Sequence, residues 1–215
     1  MKMTERGLLA LAGHEGVVPA PYLDSTGTWT FGIGHTAAAG APDPAEMPRG
    51  MPADLDEGIG EAFRVFRADL ATYEAEVLAA VTVPLAPHEF DALVSFHYNT
   101  GGIARAALTR DLNAGDREAA AQAFFNWRRP AEIIPRREAE RGLFRHRRYP
   151  GGPIPVWSVD PAGRVDFSRP VRRLAESEAL ALLQPARPAV PTAPDTPTGW
   201  FARLVAFFSK LIRRA

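Results

Sequence analysis

Between residues 55 and 81 the apolar positions Ile59, Phe63, Phe66, Leu70, Tyr73 and Val77 recur at spacings of three and four, with charged residues between them. That period places them on one face of a long amphipathic helix running toward Val81. Pro84 and Pro87 end it, and Phe90, Leu93, Val94 and Phe96 mark a second helix over residues 88–99. Further helical segments are predicted over 104–113, over 116–127 with Asp116 near the N-cap, and over 136–147. At the start of the chain, Leu8, Leu9, Leu11 and Ala12 fit a first helix behind Thr4 as N-cap, with Gly7 weakening it.

Residues 17–36 break this pattern. Pro19 and Pro21 forbid a continuing helix, Asp24 to Gly27 reads as a turn, and TWTFGIGHT alternates small or polar with bulky residues as a strand does. A β-hairpin or small sheet after a first helix, followed by a helical body, predicts the α+β class. Beyond Tyr149 the composition shifts to Pro and Gly, with an extended VWSVD, a DPAG turn and a short helix over 171–183. Residues 185–198 form a Pro-rich linker that cannot pack a core and is expected to be extended. The boundaries expected are therefore a domain at 1–149, an extension at 150–184, the linker, and a terminal helix at 199–215.

Composition narrows the function classes. With 215 residues and 46% hydrophobic positions the chain can bury one substantial core. A formal net charge of zero argues against a generic nucleic-acid binder, although residues 128–148 hold eight arginines against three glutamates and predict a positive patch. The absence of cysteine excludes disulfides and thiolate chemistry, and the five histidines lack any zinc-binding spacing, so no metal or cofactor is expected. The N-terminal apolar run follows Glu5 and Arg6 without a convincing cleavage site, which predicts a chain made in the cytoplasm without a secretory signal.

The densest chemistry lies in GHEGVVPAPYLDSTGTWTFGIGHT, residues 13–36. Read as E-G-x(5)-Y-x-D-x(2)-G-x(2)-T-x-G-x-G-H, the positions Glu15, Gly16, Tyr22, Asp24, Gly27, Thr30, Gly32, Gly34 and His35 resemble the active-site signature of the phage lysozymes, the T4-type and lambdoid muramidases. Two later blocks are similar to the same family, SFHYNTGG at 95–102 and FNWRRPAEIIPRREAE at 125–140. The resemblance covers roughly residues 5 to 150. It implies a lysozyme-like fold with a small N-terminal β-hairpin lobe, a larger helical lobe and an active-site cleft between them. It also implies hydrolysis of the β-1,4 bond between N-acetylmuramic acid and N-acetylglucosamine in peptidoglycan.

Glycosidic cleavage needs a proton for the leaving oxygen and a second group that steers water or attacks the sugar. Glu15, at the end of the first helix, is the candidate acid, the alternative being a solvated helix-end carboxylate. Asp24 also suits capping its own turn, a role compatible with catalysis. By the resemblance, Asp24 and the Thr30 hydroxyl hold the attacking water, the anomeric centre inverts, and the two carboxyls stand roughly 6.5 to 9.5 Å apart. Gly27 permits the turn that presents Asp24, while Gly32 and Gly34 let the hairpin bend and a polymer approach its backbone. Tyr22, Gly34, Asn99, Arg136 and Arg137 are the candidate substrate contacts. Alternatively, Asn99 caps its helix, and the two arginines restrain Glu15 or pair with acids such as Glu140 on a solvated helix. His35 is expected to be structural, paired with Asp69 of the long helix.

In the terminal segment, Trp200, Phe201, Leu204, Val205, Phe207, Phe208, Leu211 and Ile212 fall on one side at 100° per residue, and Arg203, Ser209, Lys210, Arg213 and Arg214 on the other. A cationic interfacial helix on an anionic membrane is expected, with docking on the enzyme body or a partner as the alternative. The function expected is that of a monomeric endolysin that leaves the host cytoplasm to cut the periplasmic wall. A virion component opening the wall locally and a binding module without catalysis are the competing classes.

Overall fold

A computed structural model describes residues 1–184; the linker and the cationic helix expected for 185–215 lie outside the described residues. The chain starts with α1 (Glu5–Glu15), where the Thr4 hydroxyl caps the helix by accepting from the Gly7 N–H at 3.0 Å. A three-stranded antiparallel sheet follows in the order β1 (Val18–Leu23), β2 (Trp29–Gly32), β3 (His35–Thr36). The long helix α2 (Leu55–Ala80) is capped by Asp54, which accepts from the N–H groups of Asp56 and Glu57. Then come α3 (Pro87–Thr100), α4 (Ala107–Asn113), α5 (Arg117–Ala123) and α6 (Ile134–His146). The described residues thus form a small sheet lobe and a larger helical body, the α+β arrangement expected.

The core sits where α2 and α3 meet the other helices. Ile59, Phe63, Phe66, Leu70 and Val77 are buried along α2, the face its periodicity predicts. Helix α3 is different, because every residue from Glu89 to His97 is buried, so it runs through the middle of the body and shows little amphipathic period. It begins at Pro87, one residue earlier than expected, since proline at the first helical position loses no hydrogen bond. The segment 116–127 divides into α5 and a 3-10 turn over Phe124–Trp127, which inserts Phe124 against Phe96 and Phe144. The sheet lobe is joined to the body through Gly32, whose absent Cβ would lie 3.0 Å from the Ala62 Cβ.

Residues 150–184 pack on the same body. Strand β4 (Ile154–Val156) pairs antiparallel with β7 (Arg172–Leu174), and β5 (Ser158–Val159) pairs with β6 (Val165–Asp166). The final helix α7 (Glu176–Leu183) starts later than the 171–183 segment expected, because Arg172–Leu174 form a strand. Ile154, Val156, Leu174, Ala179 and Leu183 join the main core. A second, smaller apolar cluster gathers Val159 with Val18 and Ala20 of β1, flanked by Tyr22 and Trp157.

Candidate active site

Glu15 is the last residue of α1, and the chain turns sharply after it because Gly16 takes a φ of +70°. Asp24 follows the end of β1, and Thr30 stands on β2 directly opposite Tyr22 in the ladder. These residues line one cleft of about 410 Å³ together with Ser25, Gly34, Thr36, Tyr98 and Asn99. The fold therefore brings Glu15, Tyr22, Asp24, Thr30, Gly34 and Asn99 to one place. Tyr98 was not singled out from the sequence, although SFHYNTGG carried it; its hydroxyl donates to the Ile33 carbonyl and its ring packs on Gly34.

The acid at the α1 end is held from behind. Arg136 of α6 donates through Nη1 to Glu15 Oε1 at 2.7 Å and through Nε to Glu140 Oε1 at 3.0 Å. Its Nη2 reaches the Ser95 carbonyl at 3.2 Å, and the Ser95 hydroxyl also donates to Glu140. With three directions occupied, Arg136 is a fixed bracket for one carboxylate oxygen of Glu15, Oε1. Arg137 corrects an expectation: its side chain is wholly buried (0% exposed), so it cannot meet a substrate. It lies 2.9 Å from Glu140 and donates to Asn99 Oδ1, so it orients the exposed Asn99 instead. The neighbouring His14 is pushed down to about 4 by burial and by the Arg136 and Arg137 charges, so it is neutral at ordinary pH.

Asp24 is arranged asymmetrically. Its Oδ1 accepts from the Thr26 N–H at 2.8 Å, the Thr26 hydroxyl at 2.7 Å and the Thr28 N–H at 2.9 Å. Burial pushes the carboxyl up, but these donors outweigh it and hold the group below the usual carboxylate range. The turn-capping role and the cleft role coincide, because all those bonds fall on Oδ1 and leave Oδ2 available. The Thr30 hydroxyl donates to the Thr28 carbonyl at 3.1 Å, which leaves its oxygen free as an acceptor for a water hydrogen. Tyr22 is raised by burial first and then by the charges of Glu15 and Asp24, so its phenol stays protonated.

His35 lies behind the cleft floor and is 1% exposed. Its Nδ1 is 2.8 Å from Asp69 Oδ2 and its Nε2 is 2.7 Å from the Pro42 carbonyl. A carbonyl only accepts, so Nε2 carries a proton and a second proton lies between Nδ1 and Asp69. This buried pair ties β3 and the following loop to α2. Among the described residues no group of histidine and acidic side chains is arranged to hold a metal ion.

Two lobes, a cleft between them and two carboxyls in contrasting environments on its walls define a lysozyme-like glycosidase. The family model described as phage lysozyme matches residues 12–149, and the chain belongs to that family. It is 34% identical over 150 residues to an endolysin of Salmonella phage P22, a match covering 67% of this chain and 98% of that relative. Among solved structures, an endolysin from Escherichia coli O157:H7 phage FAHEc1 superposes with a TM-score of 0.60 at 26% identity, covering 70% of this chain and 98% of that one. A P22 lysozyme mutant gives a TM-score of 0.54 at 29% identity, covering 67% and 98%.

Proposed function

We propose that this glycoside hydrolase is an endolysin that cleaves the β-1,4 bond between N-acetylmuramic acid and N-acetylglucosamine with inversion. The observation that carries the reading is the asymmetric pair of acids in one cleft, Glu15 bracketed through Oε1 and Asp24 through Oδ1. Protonated Glu15 gives its proton to the glycosidic oxygen as the C1–O bond breaks. A water held by Asp24 and Thr30 attacks C1 from the opposite face and yields its proton to Asp24, so charge and atoms balance. Tyr22, Gly34 and Asn99 line the cleft and supply sugar contacts, while Arg136 acts on the substrate only through Glu15.

The test is turbidity loss of outer-membrane-permeabilised Gram-negative cells with wild type and with Glu15→Gln. Replacing the acid is expected to reduce the clearing rate on the order of 10²- to 10⁴-fold without changing the fold. Equal clearing by both proteins would remove Glu15 from the chemistry. An initial product in the α-anomeric form, read by proton NMR, supports inversion; a β-anomer would instead assign Asp24 as a nucleophile.

In the same reading the enzyme is made in the host cytoplasm and reaches the periplasmic wall at lysis. The segregated apolar and basic positions of residues 199–215 support contact with an anionic membrane. Liposome binding that survives deletion of these residues would overturn that part.

A further inference from the structure

The family match stops at residue 149, and two thirds of this chain already account for 98% of the P22 relative. Residues 150–184 lie beyond that match, yet they touch the one strand that links the two acids. β1 is an edge strand of its sheet, and its pairing with β2 shifts register between Val18 and Tyr22, so its inner edge is irregular. Pro19 and Pro21 within β1 have no N–H to give to any partner. The extension hydrogen-bonds the backbone at both ends of the strand, at Val17 just before it and at Leu23, its last residue.

At the first anchor, the Val17 N–H donates to the Pro155 carbonyl at 2.9 Å and the Trp157 N–H donates to the Val17 carbonyl at 2.8 Å. The Trp157 indole lies over Gly16, where any Cβ would come within 2.7 Å of its Nε1. At the second anchor, the Leu23 N–H donates to the Gly163 carbonyl at 2.8 Å. Gly163, at φ +84°, lies against Trp29, where a Cβ would come within 2.7 Å of the ring; Trp29 pairs with Leu23 across the ladder and carries the Arg49 guanidinium 3.5 Å from its ring centroid. One anchor falls two residues after Glu15 and the other one residue before Asp24. Between them, Val159 packs with Val18 and Ala20, and Tyr22 and Trp157 flank that cluster.

We propose that residues 150–184 are a positioning element for catalysis: they pin both ends of β1 and so set the placement of Glu15 relative to Asp24, with Trp157 as the principal positioning residue. The proposal rests on the reading of Glu15 and Asp24 as the reacting pair. Such chemistry needs the two carboxyls at a set separation on opposite faces of a sugar, and a displacement of about 1 Å can cost on the order of 100-fold in rate. An edge strand with two prolines and a shifted register has few ladder bonds of its own with which to hold that separation.

The experiment measures kcat and KM on soluble peptidoglycan fragments for the full chain and for Trp157→Ala, Trp157→Phe and Gly163→Ala. Trp157→Ala uncovers Gly16, Trp157→Phe keeps a ring there, and Gly163→Ala drives a Cβ into Trp29 at the far anchor. Expected is a fall in kcat of about 10- to 100-fold for Trp157→Ala and Gly163→Ala, with KM within about threefold and most of kcat restored in Trp157→Phe. Folded Trp157→Ala and Gly163→Ala with wild-type kcat would overturn the proposal, and so would a loss confined to KM, which would make Trp157 a substrate contact. Should Trp157→Ala fail to fold, Gly163→Ala is judged by the same criteria. Glu15→Gln run in parallel separates the two readings: an active Glu15→Gln removes the reacting pair, whereas an inactive one beside a fully active Trp157→Ala removes only the positioning role.

Discussion

His14, one residue before the candidate acid, is a half-buried base under the charges of Arg136 and Arg137, and its protonation belongs to the unfolded chain more than to the folded one. Folded His14 stays neutral down to about 4, against an ordinary value of 6.5. Between those limits this group binds more protons in the unfolded chain, so its own contribution to stability falls as pH falls, by up to about 1.4 kcal/mol per pH unit. Asp24, with its lowered value, adds its own loss only below the ordinary carboxylate range, outside that window. His14→Gln should flatten the pH dependence of urea-unfolding free energy between 4.5 and 6.5; an unchanged slope would show that His14 is accessible when folded. Little of this is legible in a sequence. Glu15, Asp24 and Thr30 can be found because they stand at fixed separations within one short segment, and spacing survives in the letters. The burial of Arg137 cannot be found that way, because what excludes it from the cleft is Glu140 and Asn99, one on its own helix and one brought by α3.

At the scale of elements, Gly7 shows how packing overrides propensity. On propensity alone, alanine at this helical position would stabilise α1 by roughly 0.5 to 1 kcal/mol. A Cβ there would lie 2.4 Å from the Asp91 Cγ. Asp91 is fully buried and accepts from the Thr4 N–H at 2.9 Å, the Thr4 hydroxyl at 2.6 Å and the Tyr149 hydroxyl at 2.7 Å, so it cannot step aside without orphaning those donors. Overpacking costs about 1 to 3 kcal/mol and wins. Gly7→Ala is therefore expected to lower the denaturation midpoint, and a stabilised variant would mean that α1 and α3 can separate. The same contrast explains which elements the sequence reveals. Helix α2 buries one face and shows its period, whereas α3 is buried all round and shows mainly its limits. Strand β7 is hidden because three residues, two of them arginines, carry no period, and its partner β4 lies far back along the chain.

At the scale of the whole molecule, the question is whether residues 1–149, which contain the matched region 12–149, can stand without the residues that follow them. Ile154, Val156, Leu174 and Leu183 are each no more than 5% exposed and lie in the main core rather than in one of their own. Burying four such side chains contributes on the order of 6 to 12 kcal/mol at about 1.5 to 3 each, an upper estimate because the unfolded chain is partly collapsed. That is comparable to the roughly 5 to 15 kcal/mol by which a domain is stable at all. Removal would also strip the outer edge of β1 of its partners and uncover the apolar surface of α1 and α2 beneath α7. A protein ending at Tyr149 is therefore expected to lack a cooperative thermal transition, while one ending at Gln184 should melt as the full chain does. The boundary seen by similarity and the boundary set by packing would then differ by 35 residues. Matching melts of the 149-residue and full-length proteins by calorimetry would show instead that the extension rests on a body that is already complete.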